Sequence, residues 1–337
     1  MANSNNENGG NRNVHFRLNE ENDMRDIMNL FRVAFPTHQP DEKIYRWHFM
    51  DNPVSPMSCA VAVIDDKIVA HAGFSGRHAL VNSKNDLLFV KQTSMSDKSV
   101  RGTGVYSQLL TWANKQLVQR GGKIAISYPN ASNHPVQIMR DDYYDICQIP
   151  ALQKTFPQTG RVIEATGDLP GRLLDFNFVF LNDYDELWQA TLAGERFGIV
   201  HDAEYMTWRY ARRPDIDYYL LEDRTGGNLN SAIVWKFYPH DKPEKIMIVD
   251  WLHTCHDESA MCLFENLEIF AAHYGLSIAI WQNVYRKKMH KLVEKRSYVL
   301  SLPIVYFGAF PLVEPEMLGH FHDYRHWYVA MSDVDIF

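Results

Sequence analysis

Two glycines beside an arginine are the residues of this sequence whose types and spacing best suit chemistry. Gly102 and Gly104 follow Arg101 in the stretch Gln92 to Gln108, which reads QTSMSDKSVRGTGVYSQ. Glycine lets the backbone bend tightly and leaves no side chain in the way, so consecutive N–H groups can face an anion. The guanidinium adds a positive charge beside them. The pattern predicts a cradle for a phosphate or pyrophosphate group.

The elements around the glycines place them in a strand-to-helix turn. The apolar run Leu87 to Val90 predicts a strand that leads in. A helix is predicted to lead out, with an apolar stripe at Val105, Leu109, Trp112, Ala113 and Leu117. A helix start favours anions because its N–H groups point outward. A P-loop would need Gly-Lys-Ser or Gly-Lys-Thr, and the dinucleotide fingerprint would need a third glycine where Ser107 stands.

The turn Arg101-Gly102-Thr103-Gly104-Val105-Tyr106 resembles the acetyl-CoA loop of the GNAT (Gcn5-related) N-acetyltransferases, Arg/Gln-x-x-Gly-x-Gly/Ala. Tyr106 departs from that signature at the last position, and an ordinary glycine turn before a helix is the alternative. The predicted order over about residues 14–156 also resembles the family: strand, two helices, three strands, glycine turn, long helix, strand, short helix, strand.

An internal repeat suggests a second copy of this fold. Trp47-His48-Phe49 has a counterpart in Trp208-Arg209-Tyr210, and the hairpin turn Asp65-Asp66 has one in Gly226-Gly227, at the same offset. Ile124 to Ile126 matches Ile278 to Ile280 at a shorter offset. The lost residues fall where the glycine turn would be, because Trp251 to Glu258 holds no glycine. Chance similarity of short aromatic patterns is the alternative.

We therefore predict an α/β fold of mixed sheets. It comprises two GNAT-like domains in tandem, each a twisted, mostly antiparallel sheet flanked by helices. Residues 1–13 are expected to be a disordered tail, since they are rich in asparagine. Residues 14–156 form the predicted acyl-CoA domain, 157–171 a linker, and 172–337 a second domain without a pyrophosphate loop.

Composition narrows the classes of partner. The chain has 337 residues, 46% of them hydrophobic, and a net charge of -7, which argues against nucleic acid. The apolar stretch Leu302 to Val313 is interrupted by prolines and too short to span a membrane. Four scattered cysteines without Cys-x-x-Cys spacing predict a cytoplasmic protein without a metal site. A homodimer is left open.

The resemblance implies how acyl-CoA would bind. It places the pyrophosphate on Arg101 to Tyr106 and the pantetheine beside the fourth strand, at Gln92, Thr93, Ser94 and Met95. Backbone N–H groups there would polarise the thioester carbonyl. Asn130, just after the fifth strand, corresponds to a position that commonly faces CoA in the family.

The catalytic residues are less clearly marked. Many family members carry a tyrosine on the helix after the fifth strand, and this chain has none at the expected positions. His134 and Tyr143 are the candidates in that segment, although a histidine before proline at a helix start is also typical of a structural group. Proton transfer through water is the alternative.

The acceptor prediction depends on aromatic residues. Trp208, Arg209, Tyr210, Asp250 and Trp251 could stack a base and hold a sugar or diphosphate, or could simply pack. The tandem arrangement resembles bacterial proteins of surface-polysaccharide (O-antigen) synthesis that acylate a nucleotide-linked amino sugar, such as a dTDP-3-amino-3,6-dideoxyhexose. We predict transfer of an acetyl or short hydroxyacyl group to such a sugar. The alternatives are an aminoglycoside, peptide or polyamine acceptor, and a non-catalytic CoA-binding module.

Overall fold

The computed structural model describes residues 13–37, 40–140, 142–159, 169–192, 194–239, 244–254, 257–281 and 293–334. The predicted disordered tail, apart from its last residue, and most of the predicted linker lie outside these ranges.

Helices cover both halves of the described chain. The α-helices are α1 (Met24–Ala34), α2 (Glu42–Tyr45), α3 (Val105–Gln119), α4 (His134–Ile138), α5 (Asp183–Thr191), α6 (Ala203–Met206) and α7 (Asp257–Tyr274). Two further segments are π-helical, Arg46–Met50 directly after α2 and Thr207–Ala211 directly after α6.

The strands, like the helices, occur in both halves of the described chain. They are β1 (His15–Leu18), β2 (Ala60–Ile64), β3 (Lys67–Val81), β4 (Lys84–Ser96), β5 (Gly122–Ser127), β6 (Tyr144–Thr155), β7 (Arg172–Leu173), β8 (Gly198–Ile199), β9 (Tyr219–Asp223), β10 (Ser231–Tyr238), β11 (Lys245–His253), β12 (Ser277–Trp281) and β13 (Val299–Pro311).

These strands form mixed α/β structure, which confirms the predicted fold class. Their order in the sheet is β1-β2-β3-β4-β5-β13-β6-β12-β11-β10-β9-β7, with β8 beside β3. Neighbours are antiparallel except for β4 with β5 and β11 with β12. Each parallel pair is connected by a long helix, α3 in the first half and α7 in the second, as a crossover between parallel strands requires.

The sheets of the two halves are joined because they exchange strands. β13, late in the chain, lies between β5 and β6 of the first half. β6 in turn pairs with β12 of the second half. One large core therefore contains residues of both halves, among them Val90 and Trp281. Apolar burial of this kind stabilises the two halves together.

The internal repeat is visible in the short helices. Asp41 caps α2 by accepting from the backbone N–H groups of Lys43 and Ile44, and Asp202 caps α6 by accepting from that of Tyr205. Each helix then widens into its π-helical segment. Carboxylate caps satisfy N–H groups that would otherwise lack a partner. The same local signals thus recur at the offset of the tryptophan repeat.

The closing segment differs from expectation. The sequence from His326 predicts an edge strand and tail, but the structure has 3₁₀ turns at Tyr324–His326 and Met331–Asp333. Trp327 forms a single bridge to Phe197 and is 1% exposed. The aromatic side chains are drawn into the core, and this overrides the strand propensity of the segment.

Candidate active site

The glycine turn has the geometry of an anion site. Gly102 and Gly104 have φ of 76° and 85°, in the left-handed region that favours glycine. Gly104 is the N-cap of α3, and no side chain in the described ranges caps the helix. The first N–H groups of a helix have no partner within it. A Cβ at Gly102 would meet no atom of the described residues within 4 Å, which leaves open space beside the turn.

A cleft of about 890 Å³ opens where β4 and β5 separate. The two strands pair up to Lys91 and Ser127, after which β5 ends and β4 continues. Tyr128 and Asn130 line one side of the opening, and the last residues of β4 line the other. Val334 lines it from the second half. Such a gap can admit an extended ligand between the two strands.

A bulge shapes the β4 wall of the cleft. Ala72 of β3 lies opposite both Thr93 and Ser94, and Thr93 has a φ of 50°. A left-handed conformation costs a non-glycine residue roughly 1–2 kcal/mol, so the surroundings must enforce it. Bulges are common beside active sites because they redirect backbone and side-chain groups.

A buried histidine holds the bulge in place. Nδ1 of His71 lies 2.9 Å from the carbonyl oxygen of Thr93, and its Nε2 lies 2.9 Å from the hydroxyl of Tyr45. Burial lowers the pKa of His71 to about 4, so the ring is neutral. A carbonyl only accepts, so Nδ1–H donates to Thr93 and Nε2 accepts from Tyr45. Sequence reasoning missed both side chains, because they lie in apolar segments without a motif.

Lys91 stands at the point where the two strands part. Its side chain lines the cleft and is only 8% exposed, with Nζ 4.5 Å from the ring centroid of Phe310. Among the described residues it has no ion-pair partner within 4.0 Å. Burial, followed by repulsion from Arg140, lowers its pKa to about 7. A lysine directly after the apolar run of β4 was the only signal for it in the sequence.

The structure brings most of the predicted cofactor residues together. Those that line the cleft are Gln92, Thr93, Ser94, Met95, Arg101 and Asn130. Gly102, Thr103, Gly104, Val105 and Tyr106 form the adjoining turn and the start of α3. Arg101 also donates to the carbonyl oxygen of Ser96, and the buried Nε2 of Gln92 has no hydrogen-bond partner among the residues that the structure describes. An uncapped helix, an open turn and an unpaired amide donor all suit acyl-CoA.

The two predicted catalytic residues are not among those that line the cleft. His134 stacks on Tyr306 with centroids 3.8 Å apart, and its Nε2 lies 3.0 Å from Asp145 without hydrogen-bond geometry. Tyr143 packs against Gly308 of β13. Burial, followed by Asp145, raises its pKa, which keeps the phenol protonated. Their catalytic roles stay predictions.

The five predicted acceptor residues have partners inside the protein. Trp208, Arg209, Tyr210, Asp250 and Trp251 are at most 7% exposed. Trp208 stacks on Trp47 with centroids 4.9 Å apart, and Trp251 stacks on Phe264 at 5.0 Å. Direct contact of any of them with an acceptor stays a prediction.

Arg209 and Asp250 belong to a buried network that reaches the cleft. Arg209 donates to the carbonyl oxygens of Ser332 and Val334, and Val334 lines the cleft. His201 lies between Asp250 and Asp333, with its two ring nitrogens 2.7 and 2.8 Å from the carboxylates. Burial alone would lower the pKa of His201, but the two carboxylates outweigh it and raise the pKa to about 10.

The part of the chain that the structure describes lacks two classes of feature. It contains no cluster of three His, Cys, Asp or Glu side chains that could hold a metal ion. None of its helices is both long and apolar enough to cross a membrane.

The part of the chain that contains the glycine turn matches a known protein family. Residues 15–137 match the acetyltransferase (GNAT) domain family, and this range contains β1 to β5, the turn and α3. Over this range the chain is therefore similar to a GNAT acetyltransferase domain, and the match supports the predicted enzyme class, an acyl-CoA-dependent N-acyltransferase. A search of curated proteins found no match.

Solved structures share the fold across both halves. A GCN5-related N-acetyltransferase from Anabaena variabilis aligns with a TM-score of 0.64 at 13% identity, covering 89% of this chain and 73% of that one. A probable N-acyltransferase from Enterococcus faecalis aligns at 0.61 and 10%, covering 89% and 72%. N-myristoyltransferase from Saccharomyces cerevisiae with bound myristoyl-CoA aligns at 0.58 and 8%, covering 88% and 80%. At these identities the likeness concerns the fold.

Proposed function

We propose that this protein transfers an acyl group from acyl-CoA, bound in the cleft between β4 and β5, to the amine of a nucleotide-linked amino sugar. The observation that carries the donor half of the proposal is the uncapped start of α3 behind the left-handed Gly102 and Gly104. Outward N–H groups and the helix dipole attract a pyrophosphate there. Arg101 adds a cation on the cleft side.

The bulge of β4 gives the thioester a place in this proposal. The pantetheine would run along Gln92 to Met95, and the thioester carbonyl would lie beside Thr93 and Ser94. Backbone N–H groups released from strand pairing by the bulge can donate to the oxygen as it becomes negative. Because His71 holds the carbonyl of Thr93, these backbone N–H groups are already oriented before acyl-CoA binds.

The reaction needs little covalent chemistry from the protein. The neutral amine nitrogen attacks the thioester carbonyl carbon, the C–N bond forms and the C–S bond breaks. The nitrogen loses one proton to a base or to water, and the thiolate takes up one proton to leave as CoA thiol. Holding the two reactants in line supplies much of the acceleration. His134 and Tyr143 stay candidates for the proton steps, and a water path is the alternative.

The experiment that tests the proposal is thiol release from acetyl-CoA and butyryl-CoA with a panel of amines. The panel contains nucleotide-linked 3- and 4-amino sugars, aminoglycosides, polyamines and short peptides. We expect turnover with the nucleotide sugars. Turnover confined to the other amines would keep the enzyme class and overturn the acceptor. CoA binding without turnover on any amine would favour a non-catalytic module.

A further inference from the structure

A second, smaller cavity lies beside the cleft. It has a volume of about 170 Å³ and lies between α1 and the segment formed by α2 and its π-helical extension. Met28, Phe31, Ile44 and Phe49 supply most of its apolar wall. Of the polar side chains in its lining, Asp41 caps α2 and Tyr45 bonds to His71. The ring of His48 packs edge-on against those of Trp47 and Phe49. The interior is therefore suited to an apolar occupant.

The cavity adjoins the cleft at the bulge. Thr93 lines both spaces. Helix α1 also borders both, with Phe31 in the small cavity and Ala34 and Phe35 in the cleft. A group attached to a carbonyl carbon beside Thr93 could thus extend directly into the cavity.

We infer that this cavity, which we call the acyl pocket, binds the acyl chain of the donor, and that the donor is a straight-chain acyl-CoA longer than acetyl-CoA. The inference rests on the proposed function, because that function places the thioester at the bulge. An acetyl methyl group would leave the apolar walls of Met28 and Ile44 without a partner, whereas a longer chain buries them.

The size of the acyl pocket sets an upper limit on the chain. A water-sized group occupies about 30 Å³ in a liquid, so the pocket holds on the order of five such groups, which corresponds to an acyl chain of about four to six carbons. A myristoyl chain exceeds this volume, although the yeast enzyme of similar fold was solved with myristoyl-CoA. The wall residues, and not the fold, therefore decide the donor.

Calorimetric titration with a series of donors tests the inference without a known acceptor. The probes are free CoA and acetyl-, butyryl-, hexanoyl-, octanoyl- and myristoyl-CoA. We expect the affinity to rise by about four-fold per methylene up to butyryl- or hexanoyl-CoA and then to stop rising. An affinity equal for acetyl- and hexanoyl-CoA, or one that still rises to myristoyl-CoA, would overturn the acyl pocket. If neither CoA nor any acyl-CoA binds, the proposed function itself fails.

Two variants that change the pocket in opposite directions localise the effect. Ile44→Phe narrows it and should lower the ratio of hexanoyl-CoA to acetyl-CoA affinity by at least about ten-fold. Met28→Ala enlarges it and should move the optimum toward octanoyl-CoA. The matched control is Ile269→Phe on α7, where the side chain is 69% exposed and far from the pocket in the fold. If Ile44→Phe and Ile269→Phe give the same chain-length profile, the pocket assignment is wrong.

Discussion

Trp47 and Trp208 each donate the indole N–H to the backbone carbonyl oxygen of the other. The two bonds measure 2.9 and 3.1 Å, and the rings stack at an angle of 13°. The two tryptophans are 161 positions apart in the sequence, and each is the second residue of its π-helical segment. The internal repeat therefore also forms one of the contacts between the two halves.

Replacing either indole with phenylalanine should destabilise the whole chain. Each single variant leaves a buried carbonyl without its donor, which costs about 1–3 kcal/mol in the free energy of unfolding. Urea unfolding followed by circular dichroism measures this for Trp47→Phe, Trp208→Phe and the double variant. We expect a coupling of at least about 0.5 kcal/mol between them. Strictly additive effects would show that the reciprocal bonds are independent of each other.

A side chain at Gly104 should weaken acyl-CoA binding more than it weakens the fold. Gly104→Ala strains a backbone with a φ of 85° and puts a methyl group beside the first N–H groups of α3. We expect the Kd for acetyl-CoA to rise by at least about ten-fold. Gly121→Ala is the matched control, because Gly121 has a φ of 93° and open space at the opposite end of the same helix. If both variants lose affinity for acetyl-CoA equally, the assignment of the anion site to the glycine turn is wrong.

Local signals in the sequence account for the parts of the site that depend on backbone geometry. Gly102 and Gly104 were predictable because few other residues adopt their conformation. The left-handed Thr93 was not, because tertiary contacts to His71 enforce it against its propensity. Lys91 was missed for a similar reason: a lysine is normally exposed, and only the assembled sheet buries it.

The strand exchange also lay beyond sequence reasoning. The apolar run Leu302 to Val313, which is too short to span a membrane, contains most of β13. Nothing within the run says that its neighbours are β5 and β6, because pairing partners are set by contacts between distant parts of the chain. The aromatic cluster at Trp208 shows the same limit, since its residue types suit both ligand stacking and the packing observed against Trp47.

Removing His201 should destabilise the protein most at low pH. His201→Gln leaves Asp250 and Asp333 buried without their cation, a loss of about 3–5 kcal/mol. The pKa of His201 is about 10 in the folded chain against 6.5 in the unfolded chain. Its contribution is thus complete below about pH 6.5 and is lost as the pH rises toward 10. Urea unfolding of both proteins at pH 6 to 10 should show a difference that shrinks with pH, whereas a constant difference would argue against a charged His201.

Replacing Lys91 should stabilise the protein, whereas replacing His201 destabilises it. Its pKa is about 7 in the folded chain and 10.5 in the unfolded chain, so the unfolded state binds more protons between these values. The buried cation therefore lowers stability most below pH 7, and the loss fades as the pH approaches 10.5. Lys91→Met should be more stable than the wild type by on the order of 1 kcal/mol or more at pH 6.5, with the advantage shrinking at higher pH.

The control for this prediction is Lys115→Met on the exposed face of α3. It should leave the difference between pH 6.5 and pH 10 unchanged from the wild type. If Lys91→Met also leaves this pH difference unchanged, Lys91 is solvated in the folded protein. Water would then reach the point where β4 and β5 part more freely than the 8% exposure of Lys91 indicates.

The place of β13 in the sheet has a consequence for how the protein is made. A ribosome releases the glycine turn, α3 and both walls of the cleft long before it synthesises residues 299–311. Until then β5 and β6 have open edges facing each other, and such edges readily pair with other chains. The acyl-CoA site therefore cannot complete its sheet until nearly the whole polypeptide has been synthesised. Stalled or truncated translation products should depend on chaperones and should not persist as a folded first half.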